Sequence, residues 1–152
     1  MSEANERDLA DMLESLTGRR ELVEGFERVR VAAGTELFLA GDPVGCLVLV
    51  VAGRCRVELA LGDQEGARES GPGAILGDVS FLDGGLATAT VTAISDLEVV
   101  QLTRDHFAVL RVRSPGVAAA VMRGVTRSLA SRLRRATDSM EAATTGLVTP
   151  IA

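Results

Sequence analysis

The chain has 152 residues, 24% of them charged, with a formal net charge of −5. That length suits one domain with a sizeable core. It contains no Trp, Tyr or Lys, one His (His106) and two Cys (Cys46, Cys55), and all 16 basic residues are Arg. This inventory excludes a four-ligand Cys/His zinc site, an Fe–S cluster, and Schiff-base or P-loop lysine chemistry. The four aromatics are all Phe, which leaves little to stack on single-stranded bases. No enzyme activity, metal or cofactor is expected; what remains is non-covalent binding.

Residues 1–27 are expected to be helical. Leu9, Met12, Leu13 and Leu16 recur at i, i+3, i+4 and i+7, and Leu22, Val23 and Phe26 continue with a short second helix. This start is acidic and amphipathic, unlike a signal peptide. The longest apolar run, Cys46 to Ala52, is far short of the ~20 residues that span a bilayer. A cytoplasmic protein without membrane insertion is expected.

Residues 28–103 are strands and turns. Eleven of the 16 Gly fall between Gly34 and Gly85, and short runs rich in Val, Leu, Ile and Thr lie between them. These runs are Arg28–Ala32, Glu36–Ala40, Leu47–Val51, Arg54–Leu61, Thr88–Ala93 and Leu97–Leu102. Many short strands with close turns point to a β-sandwich or barrel. Leu47–Val51 and Arg54–Leu59 read as a hairpin about Ala52-Gly53. Pairing Val51 with Arg54 sets Cys46 opposite Leu59 and Cys55 opposite Val50. The thiols then sit on one face about 13 Å apart, beyond the ~7 Å Cα limit for a bridge, so both are expected to be free and packed.

Residues 104–143 are helical again. Thr103 can cap a short helix, Arg104–Val112, and Ser114-Pro115 opens a long one. In it Met122, Val125, Leu129, Leu133, Ala136 and Met140 form a narrow apolar seam. The seam packs on its own β domain, pairs with a second copy, or does both. Residues 144–152 read as a frayed tail. Only about ten residues follow the long helix, so no DNA-binding module is expected behind it.

Charge divides unevenly. Residues 1–27 carry 3 Arg against 8 acids, residues 28–103 carry 5 against 10, and residues 104–135 carry 8 against 1. The arginine-rich segment suits an acidic partner or nucleic acid, or internal compensation by the acidic N-terminal helices or those of a dimer mate.

One ordered series of segments resembles a known family. Ala33-Gly34-Thr35-Glu36-Leu37-Phe38, Gly41-Asp42-Pro43 and Leu47 through Val57 are similar to the cyclic-nucleotide-binding domain of the catabolite-activator superfamily, of protein kinase A regulatory subunits and of cyclic-nucleotide-gated channels. Gly71-Pro72-Gly73, Leu76-Gly77-Asp78-Val79-Ser80-Phe81-Leu82 and Ala87-Thr88-Ala89-Thr90-Val91 resemble that family's phosphate-binding cassette. Leu102 through Phe107 and Ser114-Pro115 match the helices that follow. The likeness spans roughly residues 20–140. It implies an α+β, mainly β fold: an eight-stranded β-roll (a double-stranded β-helix, or jelly roll) flanked by N-terminal helices and a long C-terminal helix through which bacterial members dimerise. It also implies a stand-alone regulatory module that senses cAMP, cGMP or another small anion and signals to an effector protein. The alternative is a scaffold that keeps the fold for dimerisation and docking.

The candidate ligand-binding residues are Gly77, Asp78, Val79, Ser80, Ala87, Thr88 and Ala89. Free N–H groups near Gly77-Asp78 suit an anion, and glycine allows close approach. In the family an acidic residue after that glycine accepts from the ribose 2′-hydroxyl, and an Arg further on pairs with the phosphate. Here the acid is Asp78, one methylene shorter than Glu, and the Arg position holds Ala87. Thr88 keeps a hydroxyl beside it. Thr137 and Asp138 stand where the family's last helix reaches the ligand base, or are a solvated helix end. His106 reads as a surface or packing residue, and Asp42 and Asp83 as turn residues.

Losing one partner of a buried charge pair costs about 2–5 kcal/mol, roughly 30- to 4,000-fold in affinity. In a pocket otherwise like the family's, Ala87→Arg is expected to recover affinity for cAMP or cGMP in calorimetry. The absence of any gain marks a pocket that differs in more than this one residue.

Overall fold

The computed structural model describes residues 26–59 and 67–147; the helices expected before residue 26 lie outside them. The strands are β1 (Glu27–Val31), β2 (Glu36–Phe38), β3 (Cys46–Ala52), β4 (Cys55–Leu59), β5 (Ala67–Ser70), β6 (Ile75–Leu76), β7 (Ala89–Ala93) and β8 (Leu97–Thr103). Among the described residues three helices accompany them: α1 (Asp78–Asp83), α2 (Arg104–Arg113) and α3 (Pro115–Leu147). Two four-stranded sheets form, with strand orders β1-β8-β3-β6 and β2-β7-β4-β5, and every described pairing is antiparallel.

The unbroken apolar run in β3 follows from its position. Leu47 and Leu49 join a cluster with Leu102, Leu110, Val117, Ala118, Val121 and Val125 under the helices. Val48 and Val50 point the other way, into a core with Cys55, Val57, Val91, Leu97 and Val99. Alternate side chains face opposite sides of a strand, so a strand covered on both faces is apolar throughout. β8 does the same: Leu97 and Val99 face the inter-sheet core, and Val100 and Leu102 the helices. β4 is covered on one face, so Cys55 and Val57 are buried while Arg56 and Glu58 are exposed.

The hairpin expected between β3 and β4 does not form. β3 is flanked on both edges by β8 and β6, while β4 pairs with β7 and β5 in the other sheet. No edge of β3 is left for β4, and the chain crosses between sheets at Gly53. Gly53 has φ +89°, and a Cβ there would stand 2.2 Å from the Asp96 carbonyl oxygen. The crossing is pinned to the β7–β8 turn: Arg54 N–H donates to Ser95 Oγ at 2.9 Å, and Ile94 N–H to the Arg54 carbonyl at 3.0 Å. Both cysteines are free, Cys55 buried and Cys46 half-buried, and burial pushes both thiols up from their ordinary pKa.

The helical segments start where the sequence places them. Thr103 caps α2, its Oγ1 accepting from His106 N–H at 3.1 Å, and His106 itself is exposed. Phe107 meets Phe81 of α1 edge-on, with ring centroids 5.3 Å apart. The α3 seam divides in two. Val125 is fully buried against the roll, so it does not belong to an exposed seam. Met122 and Leu129 are half-buried, and Leu133, Ala136 and Met140 are exposed. The first half of α3 spends its apolar stripe on its own sheet, joined there by Val117, Ala118 and Val121. Among the described residues no helix is long and apolar enough to cross a membrane.

Two glycine substitutions test this account by urea unfolding. Gly53→Ala combines left-handed strain with a clash and is expected to cost about 2–4 kcal/mol. Gly116→Ala in α3 meets open space and is expected to be neutral or to stabilise by about 0.5–1 kcal/mol. Equal effects would contradict the crossing described here.

Candidate functional site

A cavity of about 330 Å³ opens between β4, β5, the β6–α1 junction and α3, within the range of small-ligand sites. One wall is apolar: Phe38, Val44, Val57, Leu59 and Val91. Gly77, Asp78, Val79 and Ser80 form another, and Ala87, Thr88 and Ala89 a third. All seven candidate residues therefore line one cavity. Thr137 and Asp138 are exposed and do not line it.

The local fold explains this convergence. Gly77 has φ +73°, and a Cβ there would stand 2.7 Å from the Cys46 carbonyl oxygen. Glycine is therefore required by the backbone of β3 alone, before any ligand is considered. The chain then turns into α1, where Phe81 N–H closes on the Gly77 carbonyl at 2.9 Å. Ser80 Oγ donates to the Leu86 carbonyl at 2.9 Å, and Asp83 Oδ1 accepts from Gly85 N–H at 2.7 Å. These bonds shape the loop that carries Ala87 and Thr88 to the cavity. Pro43 and Leu86 pair as an isolated bridge, flanked by reciprocal bonds of Gly41 and Asp42 with Ala87 at 2.8 Å.

The electrostatics of the site depart from the simple anion pocket that the sequence suggests. Asp78 is buried, its side chain only 4% exposed. Its Oδ1 accepts from Val79 N–H at 3.0 Å, and its Oδ2 accepts from Arg132 Nη2 on α3. A carboxylate thus occupies part of the backbone donor set at the start of α1. Ser80's hydroxyl is committed to Leu86. Position 87 carries no charge.

The positive charge comes from elsewhere. Arg68 on β5 and Arg132 and Arg135 on α3 complete the lining. Arg68 faces Val57 across the β4–β5 ladder; Arg132 and Arg135 stand three apart on one helix face. Burial, together with the neighbouring Arg132 and Arg135 guanidiniums, lowers the Arg68 pKa, with Asp78 opposing. Arg132 and Arg135 lie far from the cassette in sequence, while Arg68 stands three residues before its Gly71. The signal that could have found Arg132 and Arg135 is the excess of arginine in residues 104–135 and the i, i+3 spacing within it; Arg68 lies outside that segment.

The comparisons agree with this architecture. A family model described as "Cyclic nucleotide-binding domain" matches residues 28–114. The cyclic AMP receptor protein of Thermus thermophilus is 35% identical over 113 residues, covering 73% of this chain and 50% of that one. The chain thus spans about half the length of that relative. The solved catabolite activator protein of Thermus thermophilus superposes with a TM-score of 0.66 at 29% identity, covering 88% of this chain and 59% of that one. A cyclic nucleotide-binding domain from Methylobacillus flagellatus gives 0.76 at 20% identity over 97% and 86% of the two chains, a likeness of fold. The β-roll, the cavity at its cassette and the match over residues 28–114 together place this chain in the cyclic nucleotide-binding domain family.

Proposed function

We propose that the chain is a regulatory module that senses a small ligand in the β-roll cavity and relays occupancy through α3 to a partner protein. The observation that carries this reading is the ion pair between Asp78, on the cavity wall, and Arg132, on the long helix. A ligand hydroxyl that hydrogen-bonds to Asp78 competes with Arg132 for the same carboxylate. A ligand that re-partners Asp78 releases Arg132, whose side chain is 29% exposed. It thus exchanges one hydrogen bond to a charged group, worth about 1.5–3 kcal/mol, and acts on the position of α3 with energies of at most that order. The name of the Thermus relative, a cyclic AMP receptor, supports a cyclic nucleotide as the first ligand to try.

A second reading, a dimerisation or docking scaffold, has its own support. Leu133 and Met140 are 69% and 71% exposed on α3, one above the other at i, i+7, and a second copy of the helix would cover them.

The relay is tested by amide hydrogen exchange. Saturating cAMP or cGMP is expected to change protection in residues 126–140 of the wild-type chain, and Arg132→Met, titrated to its own saturation with the same nucleotide, to lack that change. Binding that leaves α3 unchanged would contradict the relay. No heat in calorimetry with either nucleotide at millimolar concentration removes the cyclic-nucleotide version of this reading. For the second reading, light scattering is expected to show a dimer that Leu133→Glu dissociates; a monomer at high concentration counts against it.

A further inference from the structure

The arginines of the cavity do more than complete its lining. Arg68, Arg132 and Arg135 also line a second cavity of about 330 Å³ on the other side, formed with Arg54, Glu69, Ser128 and the Ser70–Ala74 turn. They are thus a wall shared by two spaces, one largely apolar and one polar. Among the described residues, Asp78 is the one carboxylate lining the first cavity and Glu69 the one lining the second. Glu69 is engaged by Arg54 at 3.3 Å, and Asp78 by one nitrogen of Arg132. Among the described residues, three guanidiniums therefore line the first cavity against one carboxylate. Arg132 also keeps a buried Nε without a hydrogen-bond partner, an orphaned donor of the kind that folded proteins rarely leave unsatisfied.

We propose that Arg68, Arg132 and Arg135 are the anion subsite of this chain, and that its ligand is an organophosphate whose phosphate rests against β5 and α3 instead of against position 87. The proposal rests on the ligand-sensing reading above and specifies its chemistry. Position 87 disfavours the phosphate because Ala87 offers no charge. The Asp78 carboxylate already engages one nitrogen of Arg132, which leaves Arg68 and Arg135 as the guanidiniums in the lining that no described carboxylate pairs with. The apolar wall of Phe38, Val44, Val57, Leu59 and Val91 accommodates an uncharged body such as a nucleobase. Guanidinium pairs with phosphate in a fork geometry, and an anion among the three arginines relieves their mutual repulsion. The polar cavity behind the wall gives room for a second phosphate, so a ligand with two phosphates can use both sides.

Calorimetry on the full chain separates the possibilities, with pyrophosphate, cAMP, cGMP and cyclic di-GMP as probes. Arg68→Gln and Arg135→Gln avoid the Asp78 ion pair, and a thermal melt of each checks that the fold survives. Whichever probe binds is expected to weaken roughly ten- to a hundredfold in each variant, and Ala87→Arg to give less than about threefold gain, within 0.7 kcal/mol by the same conversion. A cyclic nucleotide that binds equally well to both glutamine variants overturns the proposal and leaves the sensing reading intact. Pyrophosphate binding that depends on Arg68 and Arg135, with all the cyclic nucleotides silent, supports the subsite and removes the cyclic-nucleotide version of that reading. No binding by any probe at millimolar concentration overturns the subsite.

Discussion

Strands β3 and β8 are buried on both faces, and the site depends on that constraint. Their alternate side chains fill two cores at once, one between the sheets and one under the helices. The second core fixes where α3 lies, because Val117, Val121 and Val125 must sit on Leu47, Leu49 and Leu102. Once that stretch of helix is docked, the next turns are carried toward the mouth of the roll. Arg132 and Arg135 reach the cavity because α3 continues rigidly from its packed part. Burial of each large apolar side chain is worth about 1.5–3 kcal/mol, so this contact outweighs any single polar contact at the site. The Asp78–Arg132 pair refines the placement that hydrophobic packing has already set.

Position 87 of the cavity is uncharged, and its guanidiniums come from β5 and α3. The cassette backbone is retained: Gly77 turns under β3, α1 follows, and Ala87 and Thr88 arrive on a loop tied by Ser80 and Asp83. The cassette's cation is absent, and positive charge has gathered on β5 and α3. Because two of the three arginines belong to the helix, an anion held there binds the helix and the roll together. In the proposed relay, ligand recognition and movement of α3 are one event, since the ligand's differential contacts with α3 are the free energy available to shift it.

Much of this fold was legible in the sequence, for local reasons. The two-faced β3 announces itself as an unbroken apolar run, β8 as a run broken by Glu98 and Gln101, the one-faced β4 as alternation, and α2 by its Thr103 cap. The β3–β4 turn misled because a two-residue turn signal reports a reversal of the chain, not the sheet that the next strand joins. Gly53 serves a crossing, and the evidence for that is the Asp96 carbonyl, far away in sequence. β6, of two residues, is too short to carry any periodicity. All seven cassette residues were legible through their ordered resemblance to a family. The arginine wall was not, because β5 and α3 are distant in sequence and only the tertiary fold brings Arg68 beside Arg132 and Arg135. The seam on α3 was legible as a stripe, but spacing alone does not say which half faces the roll.

The position of an anion bound in crystals of this chain would distinguish the arginine wall from the cassette. Crystals of the chain soaked in selenate would reveal the ion by its anomalous scattering, independent of any assumption about the natural ligand. A peak is expected among the guanidinium groups of Arg68, Arg132 and Arg135, lost in Arg68→Gln crystals. A peak beside Ala87 and Thr88 at the start of α1, with none at the arginine wall, would contradict it.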